Sequence, residues 1–501
     1  MMTKATTLAK LRERPVAPGQ HLIDGAWTDS VDGSTKEVIS PIDGKVLTRI
    51  ATGGEQDVDL AVRAARRSFE SGAWSLMSPA NRKNVLTRLG DLIDLHKEEL
   101  AVLGVRDNGT EFKMALKAEP GSAAGSFRYY GEAVDKIYGQ IAPTAEESIG
   151  LISREPVGVV GAIVPWNFPL MIAAWKIAPA LAAGNSVVLK PAQSASLSLL
   201  QLARLAMEAG IPKGVLNVVT GSGSVVGEAL GVHPDVDVLA FTGSGVVGRR
   251  LLNYAAQSNL KRVHLELGGK SPNIVFADAP DIDAAVATAI NGIFRNSGQV
   301  CTAGSRLLVQ ETIYEEFLKK VISGAEQLVV GDPLDPTTDI GAVHTLDQLK
   351  SNLAYVETAT AEGAVLRTGG KRIHESSGGY YMEPTIFSEV RPDMRIAQEE
   401  VFGPVLAVTS FTDEQEAIEL ANSTSYGLAA AVWTGDLSRA HRMIRRIKAG
   451  LIHVNCYGGS DITVPLGGMK QSGSGHDKSL LALDKYTEIK TAWISLNEGT
   501  N

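Results

Sequence analysis

Between residues 158 and 266 the chain alternates short apolar, β-rich runs with helical patterns, and this limits its possible folds most. GVVGAIVPW (158–166) precedes a helical stretch over Ala173–Ala183, and SVVLK (186–190) precedes one over Leu197–Ala209. VLNVVTG (215–221) and VLAFTG (238–243) each lead into another helix. Strands that alternate with helices in this way build a parallel, doubly wound sheet, so the chain reads as α/β. A second α/β block runs from about Asn273 to Pro465. Upstream, HLIDGAWTDS from His21 reads as strand, turn at Asp24-Gly25, strand. Asp57 to Phe69 is helical, with Val58, Ala61, Val62 and Ala65 on one face. Ser78-Pro79 reads as an N-cap with proline at the first helical position, ahead of a stripe of Val85, Leu86, Leu89, Leu92 and Ile93. The first ~20 residues read as a loose arm. The tail TEIKTAWISL alternates like a strand at a sheet edge, which pairing with another subunit would protect.

Charge and cysteine usage exclude several classes of function. The formal net charge of -8 lacks the basic footprint of a nucleic-acid binder and offers nothing to an anionic membrane. Cys301 and Cys456 are the only cysteines in 501 residues, too few for a disulfide framework, and a reducing compartment follows. No secretory signal and no run of ~18 apolar residues is present, so the expected location is the cytoplasm. No His/Cys cluster has ligand spacing, so no metal is expected.

Gly243-Ser244-Gly245-Val246-Val247-Gly248 is a G-x-G-x-x-G run directly after the apolar strand 238–241. Glycines there let backbone approach a ligand, and helix-terminal amides attract phosphate. Spacing alone would place Glu266, ~20 residues on, against a ribose. The same run also fits a glycine-rich strand-to-helix turn with no ligand.

The runs VPWNFPL at Asn167, LELGGKSPNIVF at Glu266 and NSGQVCTAGSR at Cys301 together resemble the aldehyde dehydrogenase superfamily. LKPA at Lys190, FTGS at Thr242, EEVFGP at Glu399 and PLGGMKQSGSG at Pro465 extend the resemblance, in the family's order, over nearly the whole chain. The resemblance implies a Rossmann-type dinucleotide domain (about 1–140 and 154–263) and an α/β catalytic domain (264–464). It also implies a small β oligomerisation element with the tail (141–153 and 465–501), in a homodimer or homotetramer. It makes Cys301 the nucleophile and Asn167 an oxyanion donor, and it reassigns Glu266 from the ribose to general base. Trp166, Lys190, Ser244, Glu400 and Phe402 then match cofactor-binding positions, with Gly243 and, more softly, Gly221, Gly223 and Gly227 shaping the turns. Cys456 reads as a small packed residue. The implied reaction oxidises an aldehyde to an acid with NAD(P)+, through a cysteine thiohemiacetal and thioester.

Two positions depart from the family's common pattern. Many NAD-preferring relatives carry Glu where this chain has Gln193, so the repulsion of a 2′-phosphate is lost and NADP stands beside NAD. The ends of the chain look closest to bacterial dehydrogenases of γ-glutamyl-γ-aminobutyraldehyde or guanidinobutyraldehyde. In those, acids at the positions of Glu119 and Asp461, next to Ser460, would meet a cation. Arg295 stands where many relatives have an aromatic residue, and succinate-semialdehyde dehydrogenases bind a carboxylate with an Arg there. Phe168 and Trp175 add aromatic walls. The substrate expected is a medium aldehyde with a polar far end. Its alternatives are an aromatic aldehyde dehydrogenase, a CoA-acylating semialdehyde dehydrogenase (a group that generally lacks the base found here as Glu266) and a non-catalytic structural descendant.

Overall fold

The computed structural model describes residues 4–496. Its first sheet has seven strands in the order 262–266, 238–242, 159–163, 186–190, 216–218, 21–23, 26–28. The first five run parallel and the last two close the edge as an antiparallel hairpin. Asp24 (φ 52°) and Gly25 (φ 75°) form its turn, both in the left-handed region that a two-residue hairpin demands. Strands Val159–Ile163 and Ser186–Lys190 are buried at every residue, the signature of a sheet covered on both faces. Val160, Ala162 and Leu189 pack with the helices Pro79–Leu95, Phe112–Ala133 and Leu197–Ala209. Val159, Ile163 and Val188 pack on the other face against Val58, Ala61, Val62 and Ala65 of the helix Glu55–Glu70.

Local chemistry sets the helix starts. Ser78 Oγ accepts from Asn81 N with Pro79 in the first turn, as the sequence leads one to expect. The helix expected from Ala173 begins four residues earlier, at Pro169. It is buried almost all round, so no polar face marks its first turn, and Pro169 itself starts it. The N-terminal arm is not loose: Lys4–Glu13 is a helix, and Leu8 and Leu11 rest on the cluster of Val102, Val105 and Leu334.

The second sheet runs 365–368, 385–388, 405–411, 306–310, 272–275, 429–433, 451–454, parallel except for its first strand. A third, three-stranded sheet pairs Thr487–Ser495 with Ser148–Pro156 over nine residue pairs, with Gln140–Ala142 on the other side. Its outer strand leaves Ile489 and Trp493 each 66% exposed. The segment Leu267–Ser271 crosses from the first sheet to the second, and the candidate site lies along it.

Candidate active site

Cys301 ends a loop held in a costly shape. Asn296 (φ 49°) and Ser297 (φ 52°) lie in the left-handed region, at about 1–3 kcal/mol each. Hydrogen bonds to buried groups offset this. Thr110 Oγ1 donates to Asn296 Oδ1 at 2.7 Å, Asn296 N donates to Glu111 Oε1 at 3.1 Å, and Ser297 Oγ donates to Gly341 O at 2.9 Å. Gly298 (φ 72°) has no room for a side chain, since a Cβ would sit 2.0 Å from Gly403 O. Asn296 Nδ2 donates to both Asn167 O and Gln299 O at 3.3 Å, tying the two segments together. Asn167 Nδ2 donates to Gln299 O at 2.9 Å, which uses one of its two N–H groups and leaves the other. Cys301 is a free thiol, partly exposed. Burial, and the carboxylates of Glu400 and Glu266, push that thiol up to about 12. Cys456 is exposed rather than packed, contrary to the sequence expectation: Asn455 before it takes a left-handed turn (φ 53°) that ends the strand 451–454.

Glu266 closes the strand 262–266 and is 7% exposed, with Oε1 lacking a hydrogen-bond partner. Burial, then the charge of Asp477, drives its carboxyl well above the usual range, while Lys176 and Lys485 pull it back. Gly268 and Gly269 explain how three groups meet here. A Cβ on Gly268 would fall 2.0 Å from Glu400 Oε2, and one on Gly269 would fall 2.5 Å from Cys301 O. Gly269 N donates to Glu400 Oε1 at 2.9 Å. Burial raises that carboxyl to about 7.

The dinucleotide run sits where its pattern requires, between the strand 238–242 and the helix Gly245–Gln257. Ser244 caps that helix, accepting from Val247 N at 3.4 Å. Thr242 Oγ1 is buried without a partner. Gly227 ends the neighbouring turn 223–227. Lys190 is buried, donates only to Pro191 O (2.8 Å), and is lowered to about 8 by that burial. Gln193 Nε2 reaches Thr52 Oγ1 at 3.4 Å. Trp166 lies edge-on to Phe402 (5.4 Å between centroids) and stacks on His344 at 4.2 Å. An unpartnered hydroxyl, a buried ammonium and a glycine cradle at a helix N-terminus fit a dinucleotide.

The outer group divides. Trp175 Nε1 donates to Ser122 Oγ at 3.2 Å, and Lys478 Nζ lies 5.7 Å over the Trp175 ring while donating to Ser460 Oγ at 2.6 Å. Arg295 lies against the same loop: a Cβ on Gly458 would be 2.8 Å from its Nη1, and its Nε has no partner. Phe168, 4% exposed, immediately precedes the helix Pro169–Ala182. Asp461 is exposed and accepts from Thr463 N at 2.9 Å. Glu119 does not join this group. Its Oε2 accepts from Met171 N at 2.7 Å, and it lines a small void with Leu100, Ala115, Leu170 and Ser198. A carboxyl offered two free N–H groups at a helix start turns to them.

Sequence reasoning passed over Asn296, Gln299, Thr110, Glu111, His344, Lys478 and the trio Lys176, Asp477 and Lys485. Asn296 and Gln299 stood inside a quoted run, and their polarity beside the cysteine was the available signal. Asp477, Lys478 and Lys485 share the run HDKSLLALDKYTE at His476, whereas Thr110, Glu111, Lys176 and His344 lie far from it, and only folding assembles them.

Comparison with known proteins gives the family. The model of the aldehyde dehydrogenase family matches residues 27–492. The NADP/NAD-dependent aldehyde dehydrogenase PuuC of Escherichia coli K12 is 51% identical over 474 residues, covering 95% of each chain. The structure of an indole-3-acetaldehyde dehydrogenase with NAD+ superposes at TM-score 0.97 with 50% identity, covering 99% of this chain and 100% of that one. A γ-glutamyl-γ-aminobutyraldehyde dehydrogenase from Burkholderia cenocepacia gives 0.96 and 50%, covering 98% and 100%. Matched by the family model over residues 27–492 and about half identical to these relatives along nearly its whole length, the chain belongs to the aldehyde dehydrogenase family and is an oxidoreductase acting on aldehydes.

Proposed function

We propose that the chain oxidises a medium-sized aldehyde with a polar far end to its acid, using NAD+ and, less well, NADP+. The observation that carries this is the meeting of Cys301, Glu266 and Glu400 around Gly268-Gly269. Cys301, a partly exposed thiol, loses its proton to solvent as Sγ bonds to the aldehyde carbon, and the carbonyl pair moves to oxygen. The free N–H of Asn167 and the Cys301 backbone N–H meet that oxyanion, each worth a few kcal/mol. Bound NAD+ supplies the hydride acceptor. The thiohemiacetal becomes a thioester, and Glu266 takes a proton from the water that cleaves it, releasing acid and thiol.

Lys190 and Gln193 would hold the adenosine ribose, Ser244 and Gly243 the diphosphate, and Glu400, Phe402 and Trp166 the nicotinamide riboside. The first sheet serves as the dinucleotide domain and the second as the catalytic one. The third offers its exposed outer strand to a second copy in a homodimer or homotetramer. Two free cysteines suit the cytoplasm.

At the mouth, Arg295 keeps an unpartnered Nε and Lys478 is bound to Ser460, while Asp461 is exposed and Glu119 is engaged elsewhere. That balance favours an aldehyde bearing a remote carboxylate. A second reading, an aminoaldehyde, rests on Asp461 and on the substrate for which the Burkholderia cenocepacia relative is named, γ-glutamyl-γ-aminobutyraldehyde. NADH formation from succinate semialdehyde, 4-aminobutyraldehyde and an aromatic aldehyde, with and without CoA, tests the reading. CoA-dependent turnover would overturn hydrolysis, and absence of NADH with every aldehyde would overturn the reaction.

A further inference from the structure

The residues assigned to the cofactor sit on separate segments of the chain, and one buried side chain joins two of them. His344 is 3% exposed and lies just before the helix Leu346–Ala361. Its Nε2 shares a 2.6 Å hydrogen bond with Ser194 Oγ, next to Gln193 in the loop that follows the strand 186–190. Its ring lies flat on Trp166, with 4.2 Å between centroids and 11° between planes. Its backbone N donates to Gln299 Oε1 at 2.8 Å, and Gln299 O in turn accepts from Asn167 Nδ2.

Filling the space beside Trp166 would need only an apolar side chain, since a buried polar ring is unfavourable unless it is bonded. His344 is bonded, and to a residue 150 positions away. Burial lowers it to about 3, against a smaller opposite pull from the Asn108 backbone, so the ring is neutral and brings no charge to the site. What it supplies is a link. The same segment also holds Phe402. Gln348 Nε2, in the first turn of the helix, donates to Val401 O at 3.1 Å and Phe402 O at 3.3 Å. Phe402 has φ 56°, a left-handed backbone that so large a residue adopts only when its surroundings fix it. Residues 344–348 therefore hold both aromatic residues of the nicotinamide end, and through Ser194 they reach the loop of the adenosine end.

We propose that His344 is a positioning residue for the dinucleotide: its bond to Ser194 fixes the Gln193 loop and its ring fixes Trp166, so that the two ends of the cofactor site stand at one separation before the cofactor arrives. This rests on the reading of Trp166 and Gln193 as cofactor contacts. A loop ordered in advance loses little further freedom on binding, so the link acts on cofactor affinity. The Cys301 loop is anchored separately, by Thr110, Glu111 and Gly341, and keeps its shape without that link.

The test is NAD+ affinity by calorimetry in two variants. Ser194→Ala removes the bond from a half-buried position, and His344→Phe removes it while keeping a ring against Trp166. Each should weaken NAD+ binding about fivefold, the net effect of one hydrogen bond. The double variant should bind no worse than either single one, because the two substitutions break the same bond. Ser194→Thr, which keeps the hydroxyl, should bind as the native enzyme does. The aldehyde KM and the NADH burst at saturating NAD+ should stay as they are. Unchanged NAD+ affinity in Ser194→Ala overturns the proposal. So does a loss that doubles in the double variant, or one matched by an equal rise in aldehyde KM. Should His344→Phe not fold, Ser194→Ala against Ser194→Thr decides. Failure of the underlying reading looks different: Trp166→Ala would then leave NAD+ affinity unchanged as well.

Discussion

At the inner end of the site, around Cys301, polar side chains are fixed by backbone groups. Asn167 holds Gln299 O, Asn296 spans two carbonyls, and Glu400 takes Gly269 N. At the mouth, Arg295 has an unpartnered Nε, Lys478 shares its charge with an indole ring, and Asp461 is open to solvent. The inner end is determined by sterics, where a single Cβ at Gly268 or Gly269 would collide with the machinery. The outer end is determined by which charges remain uncommitted. On the function proposed above, reaction type would follow from packing, and substrate choice from an electrostatic balance that one substitution could tip.

The contrast can be broken most severely at the inner end. Cys301→Ala should lower turnover by at least about 10⁴ while leaving NAD+ affinity within twofold by calorimetry, since the nucleophile has no substitute. Retained turnover would remove the covalent route. Glu266→Gln should give a full burst of NADH and then a steady state slower by about 10²–10⁴. Absence of both burst and acyl-enzyme would place Glu266 earlier, in activating the thiol.

The mouth should respond selectively. Arg295→Ala should cost about 1.5–3 kcal/mol on succinate semialdehyde, the value of a charge-assisted hydrogen bond, which is about tenfold or more in kcat/KM. 4-Aminobutyraldehyde and an aromatic aldehyde should change little. A uniform small change across the three would mean that Arg295 does not touch substrate. The smallest effect is expected at Gln193. Gln193→Glu should raise discrimination against NADP+ by about 1 kcal/mol, roughly fivefold, through repulsion of the 2′-phosphate near the surface. An unchanged ratio of kcat/KM for the two cofactors would remove Gln193 from ribose recognition.

Legibility in the sequence follows the same division. The parallel sheets could be read because continuous apolar runs such as Ser186–Lys190 have few other uses, and the helix at Leu197–Ala209 carried its own periodicity. The edge strand Thr487–Ser495 was visible as alternation, though its partner Ser148–Pro156 had to come from elsewhere in the chain. At the site, Cys301 and Glu266 lie in runs whose glycines are forced by close approach, so pattern and geometry coincide. The engagement of Glu119 was not legible, because no local pattern records that the N–H of Met171, 52 positions away, will be free to bond it. Lys176, Asp477 and Lys485 were invisible for the same reason: each alone is an ordinary surface-type residue, and only the fold buries them together. The helix at Lys4–Glu13 was missed because its own sequence has too few apolar residues to announce a face.

Gly473 bridges the backbone of Glu266, and Asp477, Lys485 and the strand Thr487–Ser495 follow it. A ribosome makes these groups long after Glu266 and Cys301. Until they emerge, the strand of Glu266 lacks this neighbour. Every strand of the first sheet lies at or before Glu266, so the nascent chain can assemble that sheet before the third sheet is complete. Ribosome-stalled chains ending before Asp477 would be the place to see cofactor binding without sustained catalysis.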